Sequence, residues 1–412
     1  MSKKERVFFL SSLFPKELEE DIYNNSIGAV ANANNTLQWN ILHGLSNYHS
    51  SIYAFNFPNV GAYPTRYKKP YLGYVKMYSD NKIVGESVSF INLLYFKHGF
   101  KYNQIKGKLN GLIEESCIDD KFIFYVYDLY PPFLKAISEF KIKNKKYNIY
   151  VCLIVPDLIG KTGGSNSFLN KLLLSIDEST VLRSLEAVDT FVLLSDQMKE
   201  LLPINDKRYT VVEGIFNDKL NTYLLAEENK KSKVIFYSGA LDERNGVLNL
   251  LKAFQGILDK NYRLVLCGDG ALKNEIIEMS KKDSRIEFKG QLPRDKVLEL
   301  QKNATLLVNP RLPGQDFTKY SFPSKTMEYF ASGRPVLMYK LEGVPEEYFE
   351  HCFWPEDNTV DILRESIVSI CNKSLDELND IALSAQNFIL TKKNALAQCK
   401  KIYNLVLSED MK

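Results

Sequence analysis

Tyr320-Ser321-Phe322-Pro323-Ser324-Lys325-Thr326-Met327-Glu328-Tyr329-Phe330-Ala331-Ser332-Gly333-Arg334-Pro335-Val336-Leu337 reads as a short helix feeding a strand. Pro323 suits a first helical turn, where a missing N–H costs nothing, and Gly333 suits the left-handed position just past the last turn. At about 100° per residue, Met327, Phe330 and Ala331 share an apolar face, while Ser324, Lys325 and Glu328 gather on another. That second face sets an ammonium, a hydroxyl and free backbone N–H groups at a helix start, with a carboxylate one turn further in. Such a layout can hold a phosphate and a hydroxyl-rich group side by side, and a nucleotide sugar carries both. The same two residues would also serve as an ordinary i,i+3 surface pair worth about 0.2–0.5 kcal/mol.

Working back from this helix, strand-turn-helix units follow one another. Val234–Tyr237 ends at Ser238-Gly239 and, after Ala240 to Gly246, gives way to a helix over Val247–Leu258. Arg263–Cys267 ends at Gly268-Asp269-Gly270, Arg285–Phe288 at Lys289-Gly290, and Thr305–Val308 at Asn309-Pro310. Alternation at this spacing predicts βαβ units and a parallel, Rossmann-like sheet. Glycines after strands and at helix starts leave room for a phosphate. Arg244, in the first of these turns, puts a cation on the sheet edge that Lys325 is expected to occupy, so the two could clamp a diphosphate. No G-x-G-x-x-G follows a strand and no Walker sequence occurs, which argues against a nicotinamide cofactor and ATP hydrolysis. Ser374 and Glu377 make a capping box for a helix to about Leu390, and a last helix covers Ala395–Leu407.

The first half is less regular. Val7–Leu10 reads as a buried strand, Gly28–Asn35 as a small polar loop, Thr36–Leu45 as a helix carrying His43, and Ser87–Phe96 and Phe122–Tyr127 as strands. Tyr53–Tyr78 is rich in Tyr, Pro and Lys and reads as an irregular surface segment, either a lip for an acceptor or a cover for the core. Lys135–Tyr147 combines five lysines with Ile137, Phe140 and Ile142, which suits either an amphipathic helix on anionic headgroups or a solvated face. Ile149–Gly160 is a near-unbroken apolar run interrupted by Asp157. Residues just beyond a central parallel strand line the crevice where ligands bind, so Asp157 is the best polar candidate of this half. A Gly/Ser turn at Gly163-Gly164-Ser165, strands at Thr190–Leu194 and Tyr209–Val212, and a charged linker within Asn217–Lys233 complete it.

The chain's 412 residues exceed what one core usually supports, so two domains are expected. A hydrophobic fraction of 45% with 25% charged residues is that of a globular protein, and a net charge of +3 is too small to imply nucleic acid. The six cysteines form no C-x-x-C pair and predict reduced thiols in a cytoplasmic protein. No apolar stretch approaches the roughly 18 residues of a membrane span, and the N-terminus lacks a signal peptide's length and cleavage site.

The second half resembles the C-terminal domain of the family 4 retaining glycosyltransferases, of GT-B fold. Gly239 with Arg244-Asn245-Gly246, Gly268-Asp269-Gly270, Gly290-Gln291-Leu292, Ser321–Glu328 and Ser332–Val336 carry the likeness. The resemblance implies two Rossmann-like domains with parallel sheets facing a cleft. The first would span 1–214, completed by a C-terminal helix at about 390–412, and take the acceptor. The second, 215–389, would bind the donor, a UDP- or GDP-sugar, with no further cofactor and no metal.

Carried over by motif, Glu328 resembles the second glutamate of a paired signature that binds ribose hydroxyls, and the first falls at Tyr320. The family's usual arginine and lysine fall at Ala240 and Asn245, with Arg244 and Lys325 as replacement cations; the strand before Asp157 lacks the family's histidine. Gly239, Asn245, Gly268, Gly270, Leu292, Tyr320, Ser321, Ser324 and Glu328 are thus the expected donor contacts. Arg244, Lys325 and Asp157 are the expected catalytic groups, the cations facing the departing diphosphate. Asp316 is the single acidic residue near Lys325 worth testing for a metal. The variant pattern is similar to a subgroup of bacterial surface-polysaccharide assembly, where the acceptor is a saccharide, often lipid-linked, at the inner face of the cell membrane. A nucleotide-sugar epimerase of the same architecture, and a catalytically silent partner subunit, remain open as alternatives.

Overall fold

The computed structural model describes residues 4–28, 30–79, 81–94, 96–114, 116–157, 178–217, 225 and 231–407. The turn at Gly163-Gly164-Ser165 and most of the expected linker lie outside the described residues. The chain divides into two units, residues 1–215 with 395–412 and residues 216–394.

The first unit runs β1 (Glu5–Ser11), α1 (Lys16–Asn25), α2 (Asn32–Leu45), β2 (Ile52–Asn56), β3 (Tyr71–Leu72), β4 (Val75–Ser79), β5 (Ile83–Ser87), β6 (Phe90–Ile91), α3 (Lys97–Glu114), β7 (Lys121–Tyr127), α4 (Pro131–Lys143), β8 (Asn148–Val155), β9 (Thr190–Leu193) and β10 (Arg208–Val211). Its sheet has the order β10-β9-β8-β7-β1-β2-β5-β4. Every neighbour pair is parallel except β4 with β5. All seven residues of β7 are buried, as a central strand covered on both faces requires. The strand order reverses between β7 and β1, so a crevice opens beyond their carboxyl ends.

Two expectations for this half change. Ser87–Phe96 is not a strand: β5 stops at Ser87, β6 has two residues, and α3 begins at Lys97. The buried positions of α3 are Lys101, Ile105 and Leu109, so a lysine occupies the inward row and hides the helical period. Tyr53–Tyr78 is not wholly irregular, since it contains most of β2 and all of β3, with β4 from Val75. β4 is an edge strand whose single buried residue is Met77, which leaves little apolar signal.

The lysine-rich α4 is a core helix rather than a free amphipathic one. Ile137 and Phe140 are buried, Phe140 packs edge-on against Phe124 with ring centroids 5.8 Å apart, and Lys141 pairs with Asp189 at 2.6 Å. The apolar face is therefore engaged inside the protein and leaves Lys143, Lys145 and Lys146 exposed at the helix end.

The second unit follows as β11 (Lys233–Ser238), α5 (Val247–Gln255), β12 (Tyr262–Cys267), α6 (Lys273–Lys282), β13 (Ile286–Phe288), α7 (Arg294–Lys302), β14 (Leu306–Asn309), α8 (Asp316–Lys319), α9 (Lys325–Ala331), β15 (Val336–Met338), α10 (Val360–Cys371) and α11 (Leu375–Lys392). Its five strands are all parallel in the order β13-β12-β11-β14-β15, with the reversal between β11 and β14. α5 buries Val247, Leu250, Leu251 and Phe254 on one stripe, each worth about 1.5–3 kcal/mol against exposure. The Ser374 hydroxyl and Glu377 carboxylate form both halves of the capping box that starts α11.

A final helix, α12 (Ala395–Leu407), returns to the first unit. It buries Ala395, Cys399, Ile402 and Val406 at helical spacing. The Tyr403 ring stacks on Tyr48 at 5.0 Å, and the Tyr48 hydroxyl donates to the Leu396 carbonyl at 2.8 Å. All six cysteines are free thiols, and only Cys117 is exposed. Among the described residues no helix is long and apolar enough to cross a membrane.

Candidate functional site

The helix read first from the sequence, α9, is bolted to the carboxyl edge of the second sheet by two buried side chains. The Tyr329 hydroxyl accepts from the Ser238 backbone N–H at 2.8 Å, at the end of β11. The Asn309 amide donates to the Thr326 hydroxyl at 3.2 Å, at the end of β14. Helical spacing sets Lys325 and Glu328 one residue before each of these anchors, so the anchors fix where both project. The helix proper begins at Lys325, two residues later than expected, with Ser324 at its N-cap in helical conformation and making no cap hydrogen bond. Gly333 takes φ +73°, the left-handed conformation expected at the helix end.

Lys325 lines a hollow of about 310 Å³ together with Gly239, Gly268 and Leu292. That is the low end of the size of ligand sites, and it lies beyond the carboxyl ends of β11, β12 and β13. The Lys325 ammonium also pairs with Glu328 at 3.1 Å, and Glu328 accepts from the Gln301 amide at 2.8 Å, with Arg294 at 3.9 Å. The i,i+3 pair is therefore present, and Lys325 still faces the hollow.

The turns around the hollow press on one another. A Cβ on Gly268, where φ is +140°, would lie 1.9 Å from the Gly239 carbonyl oxygen, so glycine is required there by neighbouring backbone. Its first task is to let two turns pass, and Gly270 stands in the same relation to Leu241.

Arg244 lies elsewhere than in the Lys325 hollow. It lines a second one with Asn249, Lys252 and Gln315, and its guanidinium sits over the Phe317 ring at 4.5 Å. Arg311, which follows β14 and which sequence reasoning missed, sits over the same ring at 5.1 Å. Two guanidiniums thus share one aromatic ring. Burial pushes the Arg311 guanidinium below its usual range, the Arg244 charge acts in the same direction, and Asp242 opposes them. Arg311 donates to the Asn245 side-chain Oδ1 at 3.1 Å and, at a weaker 3.5 Å, to the Ser321 hydroxyl. Asn245 is further held by Asp242 through its backbone N–H and its side-chain amide, which fixes the Oδ1 that Arg311 meets. Ser321 donates to the Phe317 carbonyl at 2.6 Å, and Tyr320 lies beneath the Lys319 ammonium at 5.5 Å. Asp316 opens α8, but its side chain lies outside the described ones.

In the first unit, Asp157 lies two residues past β8; its side chain is solvent-accessible, yet the protein atoms around the carboxyl partly desolvate it and lift it above the usual carboxylate range. Its neighbour Asp128, at the end of β7, has φ +75° and is pushed up to about 6, by burial first and then by the charge of Asp157. Of these two acids at adjacent strand ends, the sequence singled out Asp157. A raised carboxyl makes the folded state bind more protons than the unfolded one between about pH 4 and 6, so stability falls as pH rises through that window. Asp128→Asn, which tolerates positive φ, is expected to raise the thermal midpoint at pH 7 and leave it unchanged at pH 4. An equal shift at both pH values would contradict this.

Two Rossmann-like units in one chain match the GT-B fold, and solved structures of that fold align over nearly the whole chain. Sucrose-phosphate synthase from Thermosynechococcus elongatus aligns with a TM-score of 0.62 at 14% identity, covering 98% of this chain and 99% of its own. The Anabaena HepE protein in complex with UDP gives 0.59 at 12%, covering 98% and 100%. The trehalose-phosphate synthase of Burkholderia xenovorans, in complex with glucose-6-phosphate, gives 0.60 at 10%, covering 97% and 99%. No curated protein matches by sequence. Residues 226–382, most of the second unit, match the family model "Glycosyl transferases group 1".

Proposed function

We propose that the chain transfers a sugar from a UDP- or GDP-sugar to a saccharide acceptor, with Lys325 meeting the diphosphate at the start of α9. The observation that carries this is the Lys325 hollow, an ammonium beside a helix start over the glycine turns at the carboxyl ends of β11, β12 and β13. Glu328, fixed by Gln301, would bind the ribose, and Arg311 with Arg244 would face the charge that develops on the leaving diphosphate. Asp157, with its raised carboxyl, would orient the acceptor hydroxyl. The HepE and trehalose-phosphate synthase complexes, which hold UDP and a sugar phosphate, agree with such a donor and acceptor. Retention, a lipid-linked acceptor and bacterial surface-polysaccharide assembly rest on the motif resemblance, and the exposed lysines after α4 suit an anionic membrane face.

The test is UDP and GDP binding by calorimetry, followed by transfer assays with a panel of nucleotide sugars. Lys325→Ala is expected to weaken nucleotide binding by about 10- to 100-fold, the loss of a charge-assisted contact. Absence of both binding and turnover in the unmodified protein would refute the enzyme reading. Tight nucleotide binding without turnover on any donor would point instead to the silent-subunit alternative.

A further inference from the structure

The carboxyl edge of the first sheet holds a buried ammonium that the donor site does not use. Lys101 is 5% exposed and projects from the inward row of α3. Its Nζ lies 3.9 Å from the Phe90 ring centroid and 5.4 Å from those of Phe57 and Tyr130. These rings follow the ends of β2, β5 and β7, the strands around the reversal between β7 and β1. Among the described residues Lys101 has neither a carboxylate partner nor a hydrogen-bond acceptor, and the charge nearest in effect is that of Lys97, one turn earlier.

Three sources of positive potential converge here. The α3 N-terminus has no acidic residue in its first turn and instead carries Lys97, whose charge the helix dipole opposes. Burial pushes both ammoniums below their usual range, Lys101 strongly, with Lys97 adding to the effect on Lys101. Aromatic faces offset part of the cost of a buried cation, but a protein that needed only packing here would be served better by an apolar side chain of similar length. An unpaired buried lysine beside a second lysine and a helix start is complementary to an oxyanion.

We propose that Lys101 and Lys97 hold an oxyanion, a phosphate or carboxylate group carried by the acceptor, at the start of α3. The assignment to the acceptor rests on the sugar-transfer reading; the anion site itself does not.

Titration of the full chain, its lysines reductively methylated with carbon-13, would read the site directly by NMR. The probes are inorganic phosphate and glucuronate, and the Lys101 resonance is identified by its loss in Lys101→Met. Movement of the Lys101 and Lys97 resonances with phosphate alone assigns a phosphate-bearing acceptor, and movement with glucuronate alone a carboxylate-bearing one. Lys101→Met is expected to keep or raise the thermal midpoint. In unmethylated protein, Lys97→Gln is expected to weaken binding of the active anion by about 10-fold or more. Resonances that move with neither anion, or binding unchanged in both variants, would overturn the proposal. UDP binding measured on the same samples separates the two readings. Its absence in unmodified protein strikes the transfer reading alone, and its retention in Lys101→Met is the expected result.

Discussion

Arg311→Ala is expected to lower kcat/KM for sugar transfer by about 100- to 1000-fold, the range found when one preorganised donor to a developing oxyanion is removed. The side chain is held before any ligand arrives. Asn245 accepts from it at 3.1 Å, Asp242 fixes Asn245, and Phe317 supports its flat face. A guanidinium so constrained and partly dehydrated acts without reorganising, which is where electrostatic catalysis is strongest. Arg311→Lys keeps the charge but loses the planar fork that Asn245 and Phe317 position, so most of the loss should persist. The check is steady-state kinetics alongside the thermal midpoint, which should change little because no buried carboxylate is left unpaired. Activity within about threefold of the unmodified protein, far less than one such donor contributes, would remove Arg311 from the site.

Gly246→Ala is expected to destabilise the second unit by about 3–5 kcal/mol, at the upper end for a single substitution. Gly246 has φ +71° and ends the turn that carries Arg244 and Asn245, and α5 begins at the next residue. An added Cβ would meet the Pro310 carbonyl oxygen at 1.8 Å, and backbone cannot yield as a flexible side chain can. The left-handed conformation adds roughly 1–2 kcal/mol for any residue with a Cβ. Because Pro310 precedes Arg311, relief of the clash would part Arg311 from Asn245. Nucleotide binding should therefore fall together with the denaturant midpoint. A variant of normal stability would show that the two turns are less tightly opposed than their geometry indicates.

Lys325 and Glu328 were legible because their placement is a local matter. A proline at a helix start, a glycine at its end and a period of 3.6 put both on one face, and the structure keeps them there. The parallel second sheet was legible for a similar reason, since each strand there is a short apolar run ended by a turn residue. Arg311 was not legible. Nothing in Asn309-Pro310-Arg311 distinguishes it from a surface loop, and its role comes from Asn245 and Phe317, brought to it by other turns. Lys101 hid more thoroughly, because a lysine in the inward row of α3 breaks the period that would have announced the helix.

The sequence by itself determined the elements of the second unit, the ends of its strands and the presence of a cation at the start of α9. Those follow from interactions between residues a few positions apart. Only the tertiary structure decided which cation keeps which company. It set Lys325 over the glycine turns, Arg244 with Arg311 on Phe317, and α12 on the first unit. The physical reason is that the field at a buried charge depends on what lies within a few ångströms in space, and neighbours at that distance come from anywhere in the chain.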